Sequence, residues 1–550
     1  MPGAVPNTIL RRRLPLALAG MAALLCASPA PAQEAAPIDV RGEVFVGSEV
    51  ERYLRVLQVA GAVAPYPWSV RGFSPREAGL LAPPAEGHPW AGRYRLSADT
   101  AGGLRLRAVR PSAQLLYNSA FPYGANDGAV WAGRGLTAAV EAGLAAEWGP
   151  VSLTLAPVAF VAQNAEFELL AHGDSTVSPY ANPAFPRFID HPQRFGDGRY
   201  AVVDPGQSTL RADVRGVSAG LSTANQQWGP ATDHPPLLGN NAAGFPHAFL
   251  GTARPGNLWI GRLHGKLVWG TLGQSAWASP TEYPRRFMSG AAATFVPRGA
   301  PGLEIGGARL FHASWTPGGP RPRSFLKPLD GLLKGRLAGD LIGDTSDPEN
   351  QLASLFFRWA VPGSGVEVWG ELAREDHSYD LRDVLLEPEH YSAYLVGARK
   401  VWTSAEGRLT SLRAELVDGR VTHLVEVRQQ SPFYVHTEVR QGHTHRGQLL
   451  GSPVVYGGMG STVALDRYDR AGRWNVQWAR SVQDAVGHQA WLAETPLGAT
   501  ALQSIGIERL QFVRGFEVGS RVVAAYQVNR HFSGSDAFNL NLGLQVRRGL

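Results

Sequence analysis

The sequence predicts an all-β fold, a transmembrane antiparallel β-barrel preceded by a small helical segment. Three observations carry that expectation. Apolar and polar residues alternate with period two in segment after segment between Tyr94 and Leu550. The alternating segments are about ten residues long and are joined by tight turns and long loops, as in a barrel whose apolar faces meet lipid while its polar faces line a lumen. Downstream of residue 32 no run approaches the roughly 18 consecutive apolar residues that a spanning helix needs, so any membrane protein here has to cross with strands.

Residues 1–32 read as a cleavable export signal. Arg11, Arg12 and Arg13 form a basic start, Leu14 to Leu25 an apolar stretch too short to span, and Ala30-Pro31-Ala32 a small-residue cleavage site before Gln33. Cys26, the only cysteine, leaves with that segment; Leu25 before it is too large for a lipoprotein signal. A mature chain without cysteine excludes a disulfide scaffold and thiolate chemistry. Removing the three signal arginines leaves 49 basic against 46 acidic residues, and the absence of any basic run speaks against a nucleic-acid partner. Only Lys266, Lys327, Lys334 and Lys400 are lysines. The remaining cations are arginines, which can pair bidentately with the carboxylates of an acidic polysaccharide or simply reflect an Ala/Gly/Arg-rich coding bias.

Residues 33–92 form the N-terminal helical segment, expected on the periplasmic side. Ser48-Glu49-Val50-Glu51 predicts a capping box, with Val50, Tyr53, Leu54 and Leu57 at helical spacing and Gly61 as the stop. Ser74-Pro75-Arg76-Glu77 predicts a second start, with proline where the first turn tolerates it. Two short amphipathic helices cannot bury their faces alone and have to pack on something larger. That something is the barrel, residues 93–550.

Leu136, Ala138, Val140, Ala142, Leu144, Ala146 and Trp148 alternate with Thr137, Glu141 and Glu147, which predicts a strand. Gly149-Pro150 turns the chain, and Val151, Leu153, Leu155, Ala159 and Val161 continue the pattern as the second arm of a hairpin. The pattern returns at Val366, Val368, Gly370 and Leu372, at Trp474, Val476 and Trp478, and at Phe538, Leu540, Leu542, Leu544 and Val546. Polar residues occupy the opposite faces: Glu367, Glu371, Asn475, Gln477, Asn539, Asn541, Gln545 and Arg547. Roughly sixteen to twenty strands fit the chain. Trp148, Trp259, Trp269, Trp315, Trp359, Trp369, Trp402, Trp474 and Trp478 lie in or near these strands and are expected in interfacial girdles. The closing strand departs from the common terminal aromatic residue by ending Arg547-Arg548-Gly549-Leu550.

One polar stretch, LSTANQQWGPATDHPPLLGNNAAGFPHAFLGT from Leu221 to Thr252, is too long for a turn and predicts a shaped loop. The order of its residues resembles the signature of the Wzi-type capsule assembly family. Ala181 to Gly198 (ANPAFPRFIDHPQRFGDG), Arg382 to Trp402 (RDVLLEPEHYSAYLVGARKVW) and Gln441 to Pro453 (QGHTHRGQLLGSP) are similar to the same family and follow its order. The resemblance implies an outer-membrane barrel of about eighteen strands with a lectin-like role, holding capsular or exported polysaccharide at the cell surface. It implies no catalytic residues and no cofactor. Gln226-Gln227 depart from the family's usual aromatic or acidic residue before Trp228, which leaves ligand specificity open.

Sugar binding needs flat apolar faces and planar amide, carboxylate or guanidinium groups. The loop offers Trp228, His234, Asn240, Asn241 and His247, and Arg446 lies in a later family-like segment. The same residues equally suit a packed loop, with the Asn-Asn and Gly-Phe-Pro steps fixing turns and Trp228 plugging the barrel. His443 and His445 would share a strand face, but zinc would need a third ligand, for which Glu438 is the nearest candidate, and an open position, so no metal is expected. Asp340, Asp344, Asp347 and Glu349 lack EF-hand spacing and are expected to be solvated, as are Arg285-Arg286 and Arg321/Arg323. There is no G-x-S-x-G elbow and no H-E-x-x-H pair, so the sequence points away from an enzyme. A monomer in the cell outer membrane is expected, with polysaccharide, membrane lipids and the barrel assembly machinery as partners. A porin or solute channel is the alternative, and an outer-membrane glycan or lipid hydrolase the second alternative.

Overall fold

The computed structural model describes residues 38–84, 86–96, 103–329, 349–361, 363–375, 385–421, 430–483 and 499–549. The export signal, Asp340, Asp344 and Asp347 lie outside the described residues. Among the described residues, 18 antiparallel strands close into a barrel, which meets the expectation of about eighteen. Closure is made by Ser535–Arg548 against Arg105–Asn118, in register from Asn541 opposite Asn118 to Arg547 opposite Ser112. The chain's unusual last residues therefore do not prevent the final strand from pairing on both sides.

The alternation in the sequence is the alternation in space. Along Gly135–Trp148, Leu136, Val140, Leu144 and Trp148 point outward and are exposed, while Thr137, Ala139, Ala145 and Glu147 point inward and are buried. Trp148 pairs with Val151 across the turn at Gly149, whose φ of 52° suits glycine. The second arm is less regular than the sequence suggests. It consists of Val151–Leu155 and Val158–Ala162, separated at Ala156-Pro157, where proline has no N–H for the ladder. Gly135–Trp148 pairs with both halves, so the interrupted arm still forms one stave of the barrel.

Eight of the nine tryptophans assigned to a girdle lie on or near the outer surface; Trp369 does not. It shares parity with Glu367 and Glu371, so it points into the lumen, is 1% exposed and donates its indole N–H to Glu415 at 2.9 Å. The period-two rule that placed Glu367 inside places Trp369 beside it.

The N-terminal segment supplies α1, Glu49–Val59, and α2, Pro75–Leu80. Ser48 caps α1, its Oγ accepting from the Glu51 N–H, but the Glu51 carboxylate reaches past Ser48 to the Gly47 N–H at 2.7 Å. The full reciprocal box forms instead at Ser74 and Glu77, with Pro75 in the first turn of α2. Both helices pack on the barrel. Tyr53, Leu54, Leu57, Trp68 and Trp90 cluster with Val401, Leu409, Tyr468, Leu510 and Phe512, inward residues next to the tight turns. Arg55 extends from α1 to the wall residue Glu367 at 2.9 Å and to the Pro230 carbonyl at 2.8 Å. The segment thus corks the short-turn end from within.

Candidate functional site: a divided lumen

The long polar stretch is a loop only in its middle. Leu221 and Ser222 finish the strand Val217–Ser222, and His247–Thr252 is the next strand, so residues 223–246 are what enters the barrel. There they meet a second inserted segment, residues 430–457, and together they fill one side of the lumen. Trp228, Leu237, Leu238 and Phe245 from the first insert and Phe433, Tyr434, Leu449 and Tyr456 from the second pack on Val268, Met288, Leu310, Leu352, Phe356, Trp369 and Leu395 of the wall. Many inward wall positions are apolar on this side because a dry partner stands opposite them, and charged ones among them, such as Glu304, Glu371 and Glu415, are buried. Gly290 belongs to the same fit: a Cβ there would lie 2.8 Å from the Trp228 ring.

Barrel-wall carboxylates hold the inserts in place. Glu415 accepts the backbone N–H groups of Thr232, Asp233 and His234 at 2.7, 2.8 and 2.7 Å, as well as the Trp369 indole. Glu304 does the same for the N-terminal cork, accepting from Trp68 N, Ser69 N and Ser69 Oγ at 2.8 to 3.0 Å. A buried carboxylate that accepts several N–H groups satisfies donors that would otherwise be orphaned. Gly229, at φ 97°, is the residue that lets the loop pass Glu371, since a Cβ would lie 2.1 Å from that carboxylate. The two lumen segments also join each other: Val70 and Arg71 pair with Trp228 and Gln227 as a two-stranded sheet.

The other side of the lumen is wet. A cavity of about 610 Å³ lies among the strands Gly472–Gln483, Thr500–Val513, Phe516–Arg530, Ser535–Arg548 and Arg105–Asn118. Residues 122–127 of a loop and the start of α1 complete its walls. Its volume lies in the range of ligand sites. Most of its arginines are already engaged. Arg473 bonds Glu49, Asp466 and Glu508, and Arg413 bonds Asp233 at 3.0 Å.

The six sequence-predicted residues are not gathered at one point. Trp228 is fully buried in the dry core as a packing residue of the plug, and His247 is buried at the start of the wall strand His247–Thr252, its Nδ1 at 2.8 Å from the Phe245 carbonyl. His234 and Asn240 line the wet cavity, His234 through a contact of 2.9 Å from Nε2 to Thr462 Oγ1 and Asn240 by donating to the Asn126 carbonyl at 2.8 Å. Asn241 donates to the Leu449 carbonyl, joining the two inserts. Arg446 sits in the turn of the short hairpin formed by Thr444–His445 and Gln448–Leu449, its side chain 45% exposed and paired with Asp204 at 2.8 Å. His443 and His445 do not act as a pair: His443 contacts His312 at 2.9 Å and the Leu237 carbonyl at 2.6 Å, while His445 Nδ1 accepts from the Gly273 N–H. Arg286, expected at a solvated rim, is instead fully buried and donates to the carbonyls of Gly442 and Thr444.

Sequence reasoning missed the cavity. Its walls come from positions far apart, such as Tyr123 and Ser504, whose hydroxyls meet at 2.9 Å. The available signal was the run of inward polar residues Arg473, Asn475, Gln477, Glu508, Arg521, Gln545 and Arg547 on four consecutive strands.

Comparison with known proteins follows the same geometry. The family model described as capsule assembly protein Wzi matches residues 180–467, just over half of the chain and the part that contributes both inserts. Among solved structures, the chain is similar to Wzi of Escherichia coli, described as an outer membrane protein involved in group 1 capsule assembly and a carbohydrate-binding β-barrel. The two share 13% identity with a TM-score of 0.59, over 92% of this chain and 99% of that one. Looser likenesses, at TM-scores of 0.37, are to OccK2 (OpdF) of Pseudomonas aeruginosa, 11% identical over 81% of this chain and 98% of that one, and to OccAB3 of Acinetobacter baumannii, 10% identical over 80% and 98%. No curated protein matches the chain by sequence.

Proposed function

This chain belongs to the Wzi capsule assembly family, and we propose that it is an outer-membrane, lectin-like protein that holds capsular or exported polysaccharide at the cell surface. The observation that carries this reading is the family match over residues 180–467. The plug supports it over a solute channel, because two inserted segments and a buried apolar core occupy one side of the lumen. The outward apolar faces suit a lipid surround, and the tight turns, corked by α1 and α2, suit the periplasmic end. The long loops then face outward, toward polymer.

In this reading the protein binds and does not catalyse. Its other partners are outer-membrane lipids and, during biogenesis, the barrel assembly machinery, and it works as a monomer. His234, Asn240, Asn241 and Arg446 are the predicted carbohydrate residues with a polar group toward the cavity, the plug surface or the exposed hairpin. Trp228 and His247 serve the same function by holding the loop that presents them.

Deleting the gene and measuring polysaccharide sedimenting with cells against polysaccharide in the medium tests the proposal. Loss from the cell fraction with unchanged total synthesis is the expected result. Unchanged retention would sink it.

A further inference from the structure

The wet cavity holds a guanidinium whose partners among the described residues are incomplete. Arg521 points inward from the middle of Phe516–Arg530, and its Nε and Nη2 are buried without a hydrogen-bond or ion-pair partner among the described residues. The nearest acid, Glu508, lies directly opposite Arg521 on the paired strand but is shared with Arg473 and Arg52, so it offsets Arg521 only in part. Glu508 is held by Arg473 at 3.1 Å, and Glu517 is shared by Arg110 and the Tyr94 hydroxyl. Asp127 faces Arg521 across the cavity without pairing to it; burial raises its carboxyl pKa and the Arg521 charge opposes that shift. A partly buried guanidinium with two nitrogens left unpartnered is costly, and a ligand oxyanion offsets that cost.

The surroundings suit a sugar as well as a charge. Gln114 and Gln545 lie directly opposite each other on paired strands, setting two planar amides side by side. The Tyr123 ring and its hydroxyl, which donates to Ser504 Oγ, close another wall. Amides meet sugar hydroxyls, and an aromatic face meets sugar C–H groups. A space of about 610 Å³ admits a unit of this size.

We propose that this cavity binds a carboxylate-bearing saccharide unit, with Arg521 as the counter-ion of its carboxylate and Gln114, Gln545 and Tyr123 as its sugar contacts. The inference deepens the polysaccharide-binding reading and rests on it: it makes the polymer acidic and places one point of grip inside the barrel.

Saturation-transfer NMR on the full-length protein in detergent, titrated with D-glucuronate and with D-glucose, tests it. Glucuronate should bind at least tenfold more tightly than glucose. Arg521→Gln should bring glucuronate down to the level of glucose, and Arg521→Lys should restore part of the difference, with heat-modifiable migration confirming that each variant is folded. Equal binding of the two sugars, or glucuronate binding unchanged in Arg521→Gln, would overturn the proposal. So would full competition by inorganic phosphate at the glucuronate concentration, which would make the site one for bare oxyanions. If the wild type binds purified native polysaccharide but not glucuronate, the inference fails and the retention role stands; if it binds neither, both fail.

Discussion

The two sides of one lumen are built from the same alternating strands and differ in what their inward faces meet. From His247–Thr252 round to Leu409–Asp418 the inward positions include Val268, Met288, Leu310, Leu352, Trp369 and Leu395, packed dry against the inserts. From Gly472–Gln483 round to Arg105–Asn118 they include Arg473, Asn475, Gln477, Ser504, Arg521 and Gln545 around a cavity. Alternation decides only which residues point inward. What those residues are is decided by what stands opposite them, a packed insert or solvent, and so the composition of the inner face traces the outline of the plug.

The comparison is broken most directly at Glu415. Its replacement by alanine would orphan three backbone N–H groups, that of His234 buried and those of Thr232 and Asp233 partly so, at up to roughly 1–3 kcal/mol each, and should release residues 223–246. In planar bilayers Glu415→Ala should then pass steady current, and limited proteolysis should cut within 223–246, while Glu415→Gln, which keeps an acceptor, should show a smaller change. An Ala variant as tight as the wild type would mean that the packed core alone holds the insert.

Trp228→Ala sharpens the assignment of the dry side. A cavity of that size costs about 3–5 kcal/mol, and urea denaturation should reveal it, with polysaccharide binding by the folded variant unchanged. Binding lost at full stability would instead make Trp228 a sugar platform.

The plug should also loosen in acid. Desolvation pushes the His443 ring down to about 4, against the Leu237 carbonyl and with help from Arg286. A released insert would titrate near 6.5, so between those values the released state binds more protons. Stability present above about pH 6.5 is therefore lost as pH falls toward 4, by up to ~1.4 kcal/mol per pH unit. Bilayer current rising from pH 7 to 4.5 is the expected signal, flattened in His443→Gln. The smallest effect belongs to Arg446→Ala: solvent screens its half-exposed guanidinium, and the buried Asp204 keeps the Gly206 N–H at 2.8 Å, so the loss should stay at about 1 kcal/mol and the melting temperature should move little. Any loss of polysaccharide binding in that variant would then report direct contact.

Much of this barrel is legible in the sequence, because period-two alternation is enforced wherever one face meets lipid. Leu136 to Trp148, the Gly149-Pro150 hairpin and the helix starts at Ser48 and Ser74 were all readable from local pattern. Trp369 was misassigned although its parity with Glu367 was in view. The site was much less legible. Glu415 gripping residues 232–234 and Tyr123 meeting Ser504 are contacts between residues roughly 180 to 380 positions apart, and no local period encodes which inward face an insert will cover.

Binding of native exopolysaccharide to the purified, detergent-solubilised full-length protein tests the account most directly. Saturable binding by the folded barrel, retained in Trp228→Ala, is the predicted result. No binding by a folded barrel that conducts steady ionic current would contradict it and leave a channel in its place.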